Sequence, residues 1–371
     1  MVVDGVEARR VESPSSPEQL ADALCTAAAA GEAVIPVGGG RALGLGDPPE
    51  RFDVALETRS INRLLELSRA DLTVSVEAGM TLEDLNSELA AAGQFLPLDP
   101  FNSPGHTIGG LLAAGLSGPL RLRYGSPRDF TIGLRVALPD GRLASSGGRV
   151  VKNVSGYDLN KLHQGALGSL GVIVAASFKV YPRPLHQLTV ETEAGGPDEA
   201  WSAAERALSL SMPPTALEMS TAGGGDFHLL ARFEGSSKGV ERTAAELGWR
   251  QADAALWAAH AARASDHWAR ISVPRRSLPD LVRAIPAGQS WWCSPGVGVA
   301  HWPEARVAEQ VAALRATAER AGGSLVLLAA DLELKRQVGA WGTAPATLPL
   351  MEELKNAFDP RHALSPGRYV V

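Results

Sequence analysis

The chain has 371 residues, of which 45% are hydrophobic and 20% charged, and its formal net charge is −6. At about 150 residues per domain, this length predicts roughly two domains with a substantial core. The acidic balance and the lack of any block of like charges argue against a nucleic-acid groove and a polybasic membrane surface. Residues 1–16 are partly acidic and contain no apolar segment, so we predict a cytoplasmic protein without a secretory signal or direct membrane insertion.

The cysteines and histidines limit the metal and redox chemistry that the chain itself can provide. Cys25 and Cys293 are too few for the four thiolates of an iron–sulfur cluster or for a disulfide framework, and we expect two reduced thiols. The histidines of the second half are isolated, and packing or surface positions explain them better than metal-ligand spacing: His228, His260, His267 and His301. We therefore predict no metal site.

The first half of the chain alternates helix and strand signals. Ser16 is placed to cap a helix at residues 17–30, and Thr81 with Asp84 resembles a capping box that opens a second helix. Short apolar or alternating runs predict strands at residues 33–37, 53–56, 73–77, 132–138 and 172–180. This alternation indicates an α/β or α+β layer arrangement.

A change in composition near residue 185 predicts a domain boundary. Pro182 and Pro184 exclude a helix there, and all eight tryptophans follow residue 200. Beyond the boundary, strands are predicted at residues 188–193, 216–219, 227–233, 269–273, 290–293, 297–302 and 324–329. Helices are predicted at residues 198–210, 239–262, 278–285 and 304–321. Two successive rounds of strands with helices on one side favour a ferredoxin-like α+β layer.

A glycine triplet directly after the strand at residues 33–37 is a candidate anion-binding loop. Gly38, Gly39 and Gly40 can turn their main-chain N–H groups toward a ligand, which forms an anion nest. The chain continues into Asp47-Pro48-Pro49 and does not open a helix, so a nicotinamide Rossmann site is disfavoured. The triplet alone is a weak signal, because a flexible surface turn explains it equally well.

Two further glycine clusters strengthen the interpretation of a ligand site. One occupies residues 103–118 and the other residues 165–173, and both are almost free of charge. Each cluster on its own can be explained by glycines that form turns without binding a ligand. Three such segments beside apolar strands fit a long ligand that is buried along its length.

The ordered set of motifs resembles flavoproteins of the vanillyl-alcohol oxidase and p-cresol methylhydroxylase (PCMH) type. The matching motifs are PVGGG at 36–40, TIGG at 107–110, RYG at 123–125 with Asp129, LPDG at 138–141 and GSLGVI at 168–173. Within that group, residues 151–162 and the tail at 354–368 are similar to the FAD-binding subunit of glycolate oxidase.

The resemblance implies an α+β fold with three segments. Residues 1–185 would form a two-lobed PCMH-type FAD-binding domain, and residues 186–345 a ferredoxin-like α+β cap or substrate domain. Residues 346–371 would return to the FAD-binding domain. The FAD would be non-covalent, because the first glycine loop contains no histidine or cysteine.

The resemblance also implies which residues surround the FAD. Residues 37–42 and 107–110 would hold the diphosphate through main-chain N–H groups, with residues 115–118 and 171–173 along the rest of the cofactor. Arg41 and Arg128 are candidates for charge compensation. The full set of expected cofactor-binding residues is Val37, Gly38, Gly39, Gly40, Arg41, Ala42, Pro104, Gly105, His106, Thr107, Ile108, Gly109, Gly110, Ala113, Gly115, Ser117, Gly118, Tyr124, Gly168, Gly171, Val172 and Ile173.

The third cluster departs from the family pattern. The family often has an acidic residue in a GSEGTLG segment, whereas this chain has Ala166, Leu167 and Ser169 at three of those positions. The departure argues against a side-chain contact between this segment and the cofactor. It does not affect the main-chain contacts expected from the glycines.

The function implied by the resemblance is that of a FAD-binding oxidoreductase subunit in a glycolate oxidase-like complex. Such a subunit would oxidise a 2-hydroxy acid by hydride transfer to flavin or relay its electrons. Its partners would be a sister catalytic flavoprotein and an iron–sulfur subunit, and these would mediate any membrane association. Two alternatives remain open: a self-sufficient FAD-dependent alcohol or hydroxy-acid dehydrogenase, and a non-catalytic scaffold with the same fold.

Catalytic residues are not assigned from the sequence. A 2-hydroxy acid needs an arginine for its carboxylate and a base, usually histidine. His106, inside the second glycine cluster, is equally consistent with orienting substrate, tuning flavin, or forming a simple loop hydrogen bond.

Overall fold

The structure is a computed structural model that describes residues 1–148 and 158–371. The glycolate oxidase signature expected at residues 151–162 therefore lies largely outside the described residues. No helix in the described part of the chain combines the length and apolar character needed to cross a membrane.

The first part of the chain folds as a three-stranded and a five-stranded sheet with a helix between them, together with two two-stranded sheets. Its elements are β1 (Val2–Val3), β2 (Val6–Glu7), β3 (Arg10–Glu12), α1 (Pro17–Ala29), β4 (Val34–Val37), β5 (Val54–Glu57), β6 (Leu64–Ser68), β7 (Thr73–Glu77), α2 (Leu82–Ala90), β8 (Gln94–Phe95), α3 (Ile108–Ala114), α4 (Arg121–Tyr124), α5 (Pro127–Phe130), β9 (Thr131–Ala137), β10 (Leu143–Gly147), α6 (Asn160–His163), β11 (Val172–Lys179) and β12 (Tyr181–Pro182).

One lobe is a parallel sheet of order β3-β5-β4, and the other is an antiparallel sheet of order β10-β9-β11-β7-β6. Helix α1 is capped by Ser16, whose side chain accepts from the amide of Gln19. Its buried face, which includes Leu20 and Leu24, packs between the two sheets against residues of β4, β5, β9 and β11. The two lobes therefore share one apolar layer.

The second part is an eight-stranded antiparallel sheet. Its elements are β13 (His186–Ala194), α7 (Pro197–Leu208), β14 (Ala216–Thr221), β15 (Phe227–Gly235), α8 (Ser237–Leu247), β16 (Arg250–Ala252), α9 (Ala255–Ala261), β17 (Trp268–Ser272), a 3₁₀ turn (Arg275–Ser277), α10 (Leu278–Arg283), β18 (Trp291–Ser294), β19 (Val299–Trp302), α11 (Ala308–Arg320), β20 (Ser324–Ala329), α12 (Leu332–Val338) and α13 (Leu348–Phe358).

The strand order β16-β13-β15-β14-β18-β19-β17-β20 consists of two four-stranded halves, joined where β14 pairs with β18. Each half has the order of a split β-α-β layer, which confirms the ferredoxin-like prediction. Helices α7, α8, α10 and α11 share one core with the same face of this sheet. The opposite face carries Trp268 and Trp292, which pack on Phe101 of the first part.

The strands predicted from the sequence are present, but one predicted helix is wrong. Residues 239–262 form two helices, because α8 ends at Gly248 in a left-handed conformation with φ 74° and β16 follows. Helix α11 begins at Ala308 and not at residue 304. Edge strands β6 and β10 are additional elements that the sequence analysis did not predict.

Main-chain hydrogen bonds join the two parts directly. The amide of Asn102 donates to the carbonyl of Arg263 at 3.1 Å, and that of Ser103 donates to the carbonyl of Ala261 at 3.3 Å. After α13, the chain returns to the first part, where Leu364 forms a parallel bridge with Val34.

Candidate functional site

A cavity lies over the segment that follows β4. We call it the glycine-loop cavity. Its lining residues include two arginines and no carboxylate: Ile35, Pro36, Gly38, Gly39, Gly40, Arg41, Ala42, Leu43, His106, Thr107, Gly110, Ala113, Ala114, Leu167 and Arg368.

Three successive amides of this loop are free. The amide of Gly39 donates to Oγ1 of Thr107 at 3.2 Å. Within the described part of the chain, the amides of Gly40, Arg41 and Ala42 have no hydrogen-bond acceptor. Gly40 has a φ of 76°, a left-handed conformation that glycine adopts without strain. Free amides in a concave, carboxylate-free cavity suit a diphosphate.

Close packing between two glycine segments requires Gly38 and Gly39. A Cβ at Gly38 would lie 2.1 Å from Oγ1 of Thr107, and one at Gly39 would lie 2.0 Å from the carbonyl oxygen of Gly105. These glycines are therefore needed for contact between the two segments, independently of any ligand.

The second glycine segment differs from the expected loop. Residues 108–114 form α3, which Thr107 caps. The amide of Ile108 donates to Met80 at 2.9 Å, and the amide of Gly109 donates to Ala78 at 2.8 Å. Because these two N–H groups are already used, the diphosphate contact expected from them is not free to form in this arrangement.

A second cavity lies between the two parts of the chain. We call it the interdomain cavity. It shares Arg41, Ala42 and His106 with the glycine-loop cavity, so the two adjoin. Its lining again contains no carboxylate: Arg41, Ala42, Gly44, Leu45, Phe101, Asn102, His106, Leu116, Ser117, Ser265, Trp268, Arg270, His301, Leu328 and Ala329.

Arg270 is an unpaired cation in the wall of the interdomain cavity. It lies on β17 directly opposite His301 of β19, so the strand register places both side chains on the cavity face of the sheet. Among the described residues, its guanidinium has no hydrogen-bond acceptor and no ion-pair partner. Desolvation, with a smaller effect from Arg121, lowers the pKa of Arg270. A guanidinium nevertheless stays charged in proteins and suits a carboxylate.

The protonation state of His301 is set by a tryptophan. Nε1 of Trp268 lies 3.1 Å from Nδ1 of His301, and an indole N–H only donates, so Nδ1 must be the acceptor. Burial, followed by the charges of Arg270 and other neighbours, lowers the pKa of His301 well below its usual value. His301 is therefore neutral with its proton on Nε2, and it offers a hydrogen-bond donor.

His106 has the complementary arrangement. Its Nε2 lies 2.9 Å from the carbonyl oxygen of Phe101, so Nε2 carries the proton and Nδ1 keeps its lone pair. Burial lowers the pKa of His106, which keeps the ring neutral. The two cavity histidines thus differ in role: His301 can donate a hydrogen bond and His106 can accept a proton.

Only part of the expected cofactor set lines a cavity. Gly38, Gly39, Gly40, Arg41, Ala42, His106, Thr107, Gly110, Ala113 and Ser117 line one cavity or both. The expected residues that line neither cavity are Val37, Pro104, Gly105, Ile108, Gly109, Gly115, Gly118, Tyr124, Gly168, Gly171, Val172 and Ile173.

Some of these residues have other contacts. The hydroxyl of Tyr124 donates to Oε2 of Glu234 at 2.9 Å, and Gly118 lies against the carbonyl of Asp99. Arg128 binds the carbonyls of Lys161 and Gln164 and lines neither cavity.

Sequence analysis did not assign Arg270, His301 or Arg368 to the site. The strands that carry Arg270 and His301 were predicted, but their register was not, and only the register brings the two side chains together. His260, expected at the surface or in simple packing, is buried with its Nε2 3.1 Å from Oε2 of Glu218. Among the described residues, no three or more His, Cys, Asp or Glu side chains cluster closely enough to hold a metal ion.

Two family models match the chain. The FAD binding domain matches residues 8–147, and the C-terminal domain of FAD linked oxidases matches residues 303–369, which together cover more than half of the chain. A solved structure of alkyldihydroxyacetonephosphate synthase matches 97% of this chain and 77% of its own, with a TM-score of 0.73 and 19% identity, which supports the fold alone.

Two curated relatives are glycolate oxidase subunits. GlcE of Escherichia coli (strain K12) is 29% identical over 323 residues, which are 84% of this chain and 86% of that protein. GlcD of Bacillus subtilis (strain 168) is 32% identical over 185 residues, which are 50% of this chain but only 39% of that protein. The chain therefore belongs to the FAD-linked oxidases of the PCMH-type flavoprotein family, and it is a FAD-binding oxidoreductase homologous to glycolate oxidase subunits.

Proposed function

We propose that this chain is the FAD-binding oxidoreductase subunit of a glycolate oxidase-like complex and that a small 2-hydroxy acid binds in its interdomain cavity. The observation that carries the proposal is the unpaired Arg270 in a cavity wall without carboxylates. A cation left without a partner in such a wall favours an anionic ligand.

The residues present fit a FAD diphosphate. Gly40, Arg41 and Ala42, whose amides are free, line a cavity that contains Arg41 and Arg368 as the only charged lining residues among those described. We assign the diphosphate of a non-covalent FAD to this loop and its flavin end to the shared wall at His106. When bound, FAD supplies a two-electron acceptor for the hydride of the carbon that bears the hydroxyl.

The side chains of the interdomain cavity divide the remaining tasks. In this proposal, Arg270 binds the substrate carboxylate and the Nε2 proton of His301 donates to a substrate oxygen. Nδ1 of His106 accepts the hydroxyl proton, because its Nε2 already donates to Phe101. The two rings keep these roles near neutral pH because burial lowers the pKa of both.

We also propose the organisation of the complex. Residues 1–185 serve as the FAD-binding domain, residues 186–345 as the cap or substrate domain, and residues 346–371 return to the FAD-binding domain. A sister flavoprotein and an iron–sulfur subunit are the expected partners. The relatives named as glycolate oxidase subunits support partnership, and the separated Cys25 and Cys293 cannot together ligate a cluster.

A self-sufficient dehydrogenase is the second candidate. It is favoured by the interdomain cavity itself, which combines a carboxylate-binding cation, a donor and an acceptor within this one chain. Anaerobic addition of glycolate or lactate to the purified chain, monitored by flavin absorbance, distinguishes the subunit from the self-sufficient dehydrogenase. Bleaching of the isolated chain favours self-sufficiency, whereas bleaching only after co-purification with partners favours the subunit.

Arg270→Met tests the carboxylate site. The variant is made in the isolated chain or in the co-purified complex, depending on which of the two has its flavin bleached by substrate. We expect the glycolate concentration for half-maximal bleaching to rise at least tenfold, with unchanged FAD content. Arg276→Met is the matched control, because Arg276 is exposed on the nearby 3₁₀ turn and outside both cavities. A wild-type response in Arg270→Met contradicts the proposed site, and a colourless wild-type protein that takes up no FAD favours the scaffold.

A further inference from the structure

Five carbonyl groups of the glycine loop, residues 38–45, are held by cationic side chains. Arg59 donates from Nε to the carbonyl of Gly38 at 3.2 Å and from Nη2 to that of Gly39 at 3.1 Å. Arg59 is exposed, so it binds the loop from the solvent side.

Two buried cations from the C-terminal third hold the other half of the loop. Nζ of Lys335 donates to the carbonyl of Gly44 at 2.7 Å. Nη2 of Arg368 donates to the carbonyl of Leu43 at 2.7 Å and also to that of Leu45. Five carbonyls of one short loop are therefore bound by three cations that lie far apart in the sequence.

Peptide geometry links these contacts to the free amides. In a trans peptide, the carbonyl of one residue and the N–H of the next point in opposite directions. When Arg59 holds the Gly39 carbonyl outward, it also turns the Gly40 amide inward. Lys335 and Arg368 fix the turn at residues 42–45, in which the Leu45 amide donates to Ala42 at 3.1 Å. The free amides at residues 40–42 lie between these two anchored halves.

The charge balance behind the loop points to an anion in front of it. Asp4 accepts from Lys335 at 2.7 and 2.8 Å, and so neutralises one of the two buried cations. Arg368 is only 3% exposed, and its Nη1 is buried without a hydrogen-bond partner, 3.9 Å from the nearest carboxylate oxygen of Asp4. A buried charge without full compensation is costly, and a diphosphate on the adjacent amides would reduce that cost.

We propose that Arg59, Lys335 and Arg368 are positioning residues for the cofactor loop: they bind its carbonyls and so orient its amides toward the FAD diphosphate. This inference rests on the proposed assignment of the diphosphate to the loop. It extends the cofactor site to the C-terminal third of the chain and makes FAD affinity depend on Arg59 and Lys335, which lie outside the cavity lining, as well as on Arg368, which is part of that lining.

The test compares substitutions of the full chain, with its FAD removed, in three properties. These are the dissociation constant of FAD, measured by flavin fluorescence, the dissociation constant of ADP, which carries the adenosine and the diphosphate without the flavin, and the melting temperature of the apoprotein. The variants are Arg59→Gln, Lys335→Gln and Arg368→Gln. Arg361→Gln is the matched control, because Arg361 binds the carbonyl of Ala28 at 3.2 Å and lies outside the glycine-loop cavity.

We expect each of the three variants to raise both dissociation constants at least tenfold and the control to change them less than twofold. Arg368→Lys should recover part of the lost affinity, because an ammonium retains donors for the two carbonyls. A structural effect alone would lower the melting temperature and leave affinity at control values. Arg59→Gln keeps the test decisive if the two buried variants fail to fold.

The outcome that overturns the inference is control-like FAD and ADP affinity in both Arg59→Gln and Arg368→Gln. Failure of the underlying site assignment gives a different result. In that case ADP does not compete with FAD, and Gly39→Val, which obstructs the loop itself, retains its FAD. Loss of FAD in Gly39→Val with normal affinity in the cation variants contradicts this inference alone.

Discussion

The two adjoining cavities are built in opposite ways. The glycine-loop cavity is formed mainly by the main chain of a few consecutive residues, whereas the interdomain cavity is formed by side chains from strands far apart in the sequence. The first presents amides whose chemistry does not depend on the residue type. The second depends on the identity of Arg270 and His301 and on the register of the strands that carry them. Substitutions at Arg270 or His301 therefore alter the interdomain cavity without touching the glycine loop, whereas Arg41, Ala42 and His106 belong to both cavities.

Gly39→Val should have the largest effect of the predicted changes, because it adds a side chain to the lining of the glycine-loop cavity, which is formed mainly by main chain. A Cβ there would lie 2.0 Å from the Gly105 carbonyl, which belongs to backbone and cannot move aside cheaply. We expect the purified protein to lose essentially all of its FAD, measured as the ratio of absorbance at about 450 nm to protein absorbance. Gly224→Val is the control, since nothing lies within 4 Å of its added Cβ. Equal flavin content in the two variants would contradict the loop assignment.

Lys355→Met tests the buried ion pair that holds the returning C-terminal segment against the first part of the chain. Lys355 donates to Asp359 at 2.7 Å and to the carbonyls of Ser169 and Leu364, both at 2.9 Å. Because the substitution leaves Asp359 buried without its cation, we expect unfolding free energy to fall by about 3–5 kcal/mol.

The matched control is Lys161→Met, which removes an exposed pair with Asp158 and should cost at most about 1 kcal/mol. Urea denaturation of both variants checks the difference. Similar losses in the two variants would show that the buried pair contributes no more than a surface pair.

Trp268→Phe should have the smallest effect of the predicted changes. It tests the tautomer assigned to His301 in the interdomain cavity. The substitution removes the indole donor that opposes protonation of Nδ1 of His301, so the pKa of His301 should rise. We expect a loss of about 1–2 kcal/mol in unfolding free energy at pH 7. An NMR titration of the histidine ring measures the pKa directly.

The sign of the pH dependence follows from the lowered pKa of His301. Below about pH 6.5 the His301 ring binds a proton in the unfolded chain but not in the native protein, so native stability falls as the pH falls. The raised pKa in Trp268→Phe weakens this penalty, and the difference from wild type should shrink from pH 7 to pH 5. Trp302→Phe, which loses a bond to Gln289 without a histidine partner, should show a constant difference. A constant difference in both variants would contradict the tautomer assignment.

The sequence predicts features that depend on neighbouring residues. Ser16 capping α1, the strand before Gly38 and the two rounds of the antiparallel sheet are encoded by local patterns, and all are present. The helix predicted at residues 239–262 failed because an alanine-rich pattern continues past Gly248, whose left-handed conformation ends α8. Gly248 is a possible helix end in the sequence, but the prediction followed the helical periodicity on both sides of it.

Features that depend on distant pairing were not predicted. Arg270 and His301 lie opposite each other only through the register of β17 and β19, and no local pattern specifies that register. Arg368 reaches the glycine loop because the chain returns after α13, which a motif can indicate but cannot resolve to single contacts. The amides of Ile108 and Gly109 were expected to bind cofactor, yet long-range partners in the segment at residues 78–80 use them.

The attachment of the eight-stranded sheet to the first part has a consequence for sequence divergence. Asn102 and Ser103 reach Arg263 and Ala261 through main-chain atoms, so substitution at any of the four positions, other than by proline at the two donors, leaves these bonds chemically possible. Side chains that line the interdomain cavity can therefore be replaced without rebuilding the joint. Substitutions in the cavity wall can then alter what the cavity accommodates while the two parts of the chain stay attached.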